Sequence, residues 1–138
     1  MGADPSLTWS SEQVQRLSPA ALAYIGDAVY ELYVRQLYLF PPKRPRLYHQ
    51  LVVAQVRAEQ QASYLDVLQP FLTEHEKEMV RRGRNAASNR PSRHDQSTYQ
   101  QSTGLEALVG YLHLTDPQRL QQLLDILKPE VLSASASS

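Results

Sequence analysis

A chain of 138 residues with 42% hydrophobic and 20% charged residues has the composition of one globular domain with a core of its own. It contains no cysteine, which excludes a disulfide scaffold and any thiolate metal site. Its formal net charge is zero, against a protein that coats nucleic acid over its whole surface. No apolar run approaches the length of a membrane span, and no basic-then-apolar leader opens the chain, so the cytoplasm is the expected compartment.

Residues 1–17 are polar, with a short helix expected in Ser10–Leu17. A strong helix then runs over Ser18–Arg35, with Ser18 as its cap and Pro19 in its first position. Leu22, Ile25, Val29 and Leu32 recur three and four apart and are the expected core stripe. Opposite them lie Ala20, Ala23, Asp27 and Glu31, small except where acidic. Gly26 and Asp27 are both poor mid-helix choices, by about 1 and 0.5–0.7 kcal/mol relative to Ala. They mark either a solvated face beside a close helix crossing or a functional carboxylate. Tyr24, on the same helix, reads as an ordinary core aromatic.

Phe40-Pro-Pro-Lys-Arg-Pro-Arg46 breaks the helix and reads as a solvated basic turn in preference to a phosphate contact. The helical period returns from Leu47 to Leu68, with Leu51, Val52, Gln55, Val56, Ala62 and Leu65 inward and Arg57, Glu59, Gln60 and Gln61 outward. His49 has no partner at metal spacing. Thr73-Glu-His-Glu76 is a capping box for a helix expected to end at Gly83. Arg81, Arg82, Arg84, Arg90 and Arg93 then follow with no acid before His94, and Asn85 and Asn89 lie among them. Planar guanidinium forks suit phosphate, so this stretch is the candidate polyanion-binding surface.

The next helix begins between Asp95 and Ser102 and runs to Leu114. Leu105, Leu108, Val109 and Leu112 form its core face, and Thr103, Glu106, Gly110 and His113 the other. Asp116-Pro117 opens a last helix with Leu120, Leu123, Leu124 and Leu127 inward, closed at Lys128-Pro129. Ser133–Ser138 reads as a tail. The divisions expected are an N-terminal segment 1–17, a folded domain 18–128 and a flexible tail 129–138. The absence of sustained alternation makes the fold class all-α.

Leu22-Ala-Tyr-Ile-Gly-Asp-Ala-Val29 resembles the signature helix of the ribonuclease III family, and Glu106-Ala-Leu-Val-Gly-Tyr-Leu112 resembles that family's second motif. With Ala23 in place of a Glu, and with Arg82-Gly-Arg-Asn85 between the motifs, the chain is similar to the Mini-ribonuclease III branch. The resemblance implies a helical endonuclease domain acting as a homodimer, without the double-stranded-RNA-binding domain of larger members. It implies Asp27 and Glu106 as catalytic residues and ligands of Mg2+, and Tyr24 near the dimer contact. It further implies cleavage of double-stranded RNA, with maturation of 23S ribosomal RNA precursor stems as the task and a large-subunit ribosomal protein as an optional partner. Arg81, Arg82, Arg84, Asn85, Arg90 and Arg93 are the expected RNA-binding residues. Ala23 and Thr103 stand where larger members carry acids, so fewer protein ligands and more waters are expected around the metal. The alternative is a dimeric module that binds structured RNA without cutting it, and paired acids beside phosphate weigh against that.

Overall fold

The computed structural model describes residues 9–87 and 96–136. Seven α-helices follow in order: α1 (Ser11–Gln15), α2 (Pro19–Leu37), α3 (Pro45–Val56), α4 (Ala58–Leu68), α5 (Glu74–Ala86), α6 (Gln96–Thr115) and α7 (Pro117–Ala136), with a short 3-10 turn at Gln69–Phe71. Among the described residues there is no strand, and no helix is long and apolar enough to cross a membrane.

The centre is α6, which packs against α2, α4 and α5. Leu105, Ala107, Leu108, Val109 and Leu112 are all buried, as are its small residues Ser102, Gly104 and Gly110. A helix buried nearly all round explains why α6 carries no clear polar face. Around it, Leu22, Tyr30, Val34, Tyr64, Leu65, Leu123, Leu127 and Val131 complete the core.

The caps form as their residues dictate. Ser18 accepts from the Ala21 amide at 3.0 Å, and Pro19 follows it in α2. Thr73 and Glu76 make the reciprocal capping box at 3.1 and 2.9 Å. Asp116 accepts from the Arg119 amide at 3.1 Å. Glu76 also has a partner that its cap role does not require: Arg119 on α7 grips it at 2.8 and 2.9 Å. That pairing holds the Glu76 carboxyl below its ordinary range, despite the opposing effect of burial.

Five sequence expectations differ from the structure. The core face of α2 is Leu22, Ala23, Gly26, Tyr30, Tyr33 and Val34, whereas Ile25 and Val29 are half-buried and Leu32 is 56% exposed. The stretch 47–68 is two helices, because Arg57 is extended (φ −64°, ψ 150°) between them. Gln61 is therefore buried instead of wet. Helix α5 runs past Gly83 to Ala86, since Gly83 lies inside a helix crossing. Finally, α7 passes through Pro129 to Ala136. Proline cannot supply its amide there, but Val131 is fully buried and its carbonyl accepts from the Tyr38 hydroxyl at 3.1 Å, which anchors the extra turns.

Candidate active site

Two pairs of glycines bring the functional candidates together. A Cβ placed on Gly26 would lie 1.7 Å from the Glu106 carbonyl oxygen, and one on Gly110 would lie 1.9 Å from that of Leu22. The backbones of α2 and α6 thus touch, which no side-chain-bearing residue would permit. Asp27 follows Gly26 and Glu106 precedes Gly110 by one turn, so the crossing delivers both carboxylates to one place. On the other side of α6, a Cβ on Gly83 would meet the Ala107 Cβ at 2.8 Å and the Gly104 Cα at 2.9 Å. This second close crossing draws the C-terminal end of α5 to the same edge.

The result is a cleft of about 440 Å³ lined by Asp27, Glu106, Ala20, Ala23, Tyr24, Ala86, Ala87, Tyr99 and Thr103. Two acids thus share the cleft with four alanines, Thr103 and two tyrosines. Asp27 is exposed, while Glu106 is half-buried. Burial pushes the Glu106 carboxyl up to about 8, aided by its hydrogen bond to Asp27 and by that group's charge. Two carboxylates in such a position resist ionising together. A divalent cation would relieve the conflict, so the pair fits a metal electrostatically. Among the described residues no group of three or more His, Cys, Asp or Glu could hold one. The described residues thus offer a pair of carboxylates here, a set that suits a cation which keeps several waters. Thr103 adds no charge, and its hydroxyl donates back to the Tyr99 carbonyl at 3.0 Å.

The arginine stretch divides. Arg81, Arg82, Arg84 and Asn85 lie on α5, whose last residues reach the cleft wall at Ala86 and Ala87. Arg81 is engaged by Glu78, at 2.8 Å from Nε, which neutralises it in part. Arg82 is half-buried against the Met79 sulfur, and Arg84 is exposed, with its stem beside Gly104. Arg90 and Arg93 lie outside the described residues. Of the turn 43–46, Lys43 is tied down structurally, donating to the carbonyls of Tyr38 and Pro41 at 2.7 and 2.9 Å. Tyr24 is 79% exposed at the rim, which disposes of its reading as a core aromatic.

Gln61, which the sequence pattern places on the wet side, belongs to this region. Gln61 of α4 is 2% exposed, and its Nε2 reaches the Glu106 Oε2 at 3.5 Å and donates to the Val56 carbonyl at 2.9 Å. Once the break at Arg57 is known, Gln61, Tyr64, Leu65 and Leu68 form a plain inward stripe.

Residues 20–117 match a family model described as the ribonuclease III domain. The Mini-ribonuclease 3 of a Synechocystis strain is 59% identical over 115 residues, which cover 83% of this chain and 80% of that protein. That of Thermosynechococcus vestitus is 54% identical over 118 residues, covering 86% and 78%. A more distant Mini-ribonuclease 3, from Enterococcus faecalis, is 40% identical over 116 residues, covering 80% and 88%. Among solved structures, a crystal structure of a Fusobacterium nucleatum protein superposes with a TM-score of 0.74 at 26% identity, covering 83% of this chain and 93% of that one.

Proposed function

The chain belongs to the ribonuclease III family, and from that premise we propose that this endoribonuclease is magnesium-dependent and cuts double-stranded RNA. The observation that carries the reading is the Gly26–Gly110 crossing, which sets Asp27 beside Glu106 at the floor of an open cleft. In this reading Asp27 and Glu106 hold the ion. When bound there, it supplies activation of a water and neutralisation of the charge that gathers on the phosphate oxygens. The protein's own part is to fix the two carboxylates, keep the walls small enough for a sugar–phosphate backbone to enter, and orient the duplex.

Orientation falls to Arg82, Arg84 and Asn85 on α5, with Arg81 contributing where it can leave Glu78, and with Arg90 and Arg93 beyond the helix. A-form RNA is read through its backbone and 2′-hydroxyls, for which guanidinium and amide groups suffice. The homodimer belongs to the same reading. Tyr24, Ala28 and Leu32 lie one turn apart on the exposed face of α2, flanked by the half-buried Ile25 and Val29. Covering that face with a second copy would give two cleavage sites, one for each strand, with Tyr24 at the contact. The task proposed is maturation of 23S ribosomal RNA precursor ends in the cytoplasm, with a large-subunit ribosomal protein as an optional presenter of the RNA.

The rival reading, a dimeric module that holds structured RNA without cutting it, leaves the acidic floor unexplained. A binder gains nothing from a carboxylate pair that repels phosphate. Incubating a long RNA duplex with the protein, in magnesium and in chelator, separates the two on a denaturing gel. Magnesium-dependent fragments support the nuclease. Full-length strands in both lanes, with the duplex shifted by the protein on a parallel native gel, support the binder.

A further inference from the structure

The break between α3 and α4 leaves the last carbonyls of α3 without helical donors, and two of these are met by buried side chains. The Tyr30 hydroxyl donates to the Gln55 carbonyl at 2.9 Å, and Gln61 Nε2 donates to the Val56 carbonyl at 2.9 Å. The same Nε2 faces the Glu106 carboxyl group, 3.5 Å from Oε2. Meanwhile Gln61 Oε1 is buried with no hydrogen-bond partner among the described residues. A buried acceptor without a donor costs about 1–3 kcal/mol. A Met of similar size would remove that orphan, but it would leave the Val56 carbonyl unmet and lose the contact with Glu106. The orphaned oxygen therefore indicates that the amide nitrogen is wanted where it stands.

We propose that Gln61 is a positioning residue for Glu106: anchored on the Val56 carbonyl, its amide holds the carboxylate in the orientation that shares a divalent cation with Asp27. The helix break at Arg57 is what makes this possible, because it both frees the Val56 carbonyl and turns Gln61 inward. This inference rests on the reading of Asp27 and Glu106 as the metal-holding pair. It adds that the affinity of the pair depends on a residue outside both signature motifs.

The test is Mn2+ titration of the full chain without RNA, followed by the EPR signal of the free ion, on the parent, Gln61→Met, Gln61→Asn and Asp27→Asn. Met fills the space without donating. Asn keeps the amide but retracts it by one methylene, out of reach of Glu106. Both should weaken Mn2+ binding by about 10–100-fold, the range found when a group that orients a metal ligand is removed. Affinity for duplex RNA in chelator should be unchanged, and the magnesium needed for half-maximal cleavage should rise in step with the loss of Mn2+ affinity. A folded Gln61 variant that binds Mn2+ within twofold of the parent overturns the proposal and leaves Gln61 as a cap for α3. If both variants fail to fold, the amide is purely structural and the proposal falls as well. If the parent binds no Mn2+, or if Asp27→Asn binds it as the parent does, the carboxylate-pair reading itself fails and takes this inference with it.

Discussion

Replacing Gly26 with Ala adds one methyl group at the point where two helix backbones meet. Helix propensity alone favours the change by about 1 kcal/mol. The structure says the opposite, because the new Cβ would stand 1.7 Å from the Glu106 carbonyl oxygen, 2.6 Å from its carbon and 2.9 Å from the Gly110 nitrogen. All three are backbone atoms of the central helix, so no rotamer change gives relief. The helices must part by well over an ångström, and Leu22, Tyr30, Leu105 and Val109 lose contact along the seam. Overpacking a core typically costs about 1–3 kcal/mol, and more where both sides are rigid. A net loss of about 2–4 kcal/mol is expected, or roughly 6–16 °C in melting temperature for a domain of this size. Gly110→Ala, 1.9 Å from the Leu22 carbonyl oxygen, should match it. Gly83→Ala, whose first contact is a Cβ at 2.8 Å, should cost less. Urea unfolding of the three variants gives the order. Cleavage by Gly26→Ala should also fall at temperatures where it remains folded, because Asp27 moves away from Glu106. A Gly26→Ala protein as stable as the parent, or more stable, would refute the account of the crossing.

The raised Glu106 carboxyl makes a pH prediction for the metal-free protein. With a folded value near 8 and an unfolded one near 4.5, the group favours folding fully below pH 4.5, and that contribution is lost as pH rises through 8. In chelator, stability should therefore decline across that window, by up to about 1.4 kcal/mol per pH unit. Glu106→Gln should flatten the decline and melt higher than the parent at pH 9; unchanged pH profiles would show that Glu106 ionises freely. Replacing Arg82 and Arg84 together with Ala should weaken duplex binding and reduce the slope of log affinity against log salt by about 1–2, with little change in melting temperature. Equal affinity across the salt series would reduce α5 to a solvated helix. Leu32→Asp, on the exposed face of α2, should shift sedimentation from twice 15.7 kDa to the monomer mass; a parent that is already monomeric would remove the dimer from the account.

The sequence made some of this legible and concealed the rest for identifiable reasons. Caps at Ser18, Thr73 and Asp116 could be read directly, because each is a local contest between a side chain and an unpaired amide. The core stripes of α6 and α7 were legible because leucines dominate them. The inward face of α2 was not. A helical wheel rewards Ile25, Val29 and Leu32, yet the face that packs is built on Ala23, Gly26, Tyr30, Tyr33 and Val34 beside Leu22. A glycine that serves as a contact surface carries no hydrophobic signal at all. Gln61 was hidden by an extended residue at Arg57, which resets the helical phase without any proline or glycine to announce it. The end of α7 is not legible because a proline normally stops a helix, whereas here the buried Val131 anchors the turns beyond it. The carboxylate pair was legible as two motifs. That they meet depends on backbone contact between distant helices, which no spacing within either motif states.

The central claim is that Asp27 and Glu106 together hold the metal that cuts RNA. Asp27→Asn and Glu106→Gln keep shape and remove one charge each, so they test the carboxylates with little disturbance to the fold. The measurement is single-turnover cleavage of an RNA duplex at saturating protein, at ordinary magnesium and again at tenfold more. Each variant should cut several orders of magnitude more slowly while still binding the duplex, and the double variant should be little worse than either single one. Near-parental cleavage by either variant at ordinary magnesium would contradict the account and place the catalytic centre elsewhere.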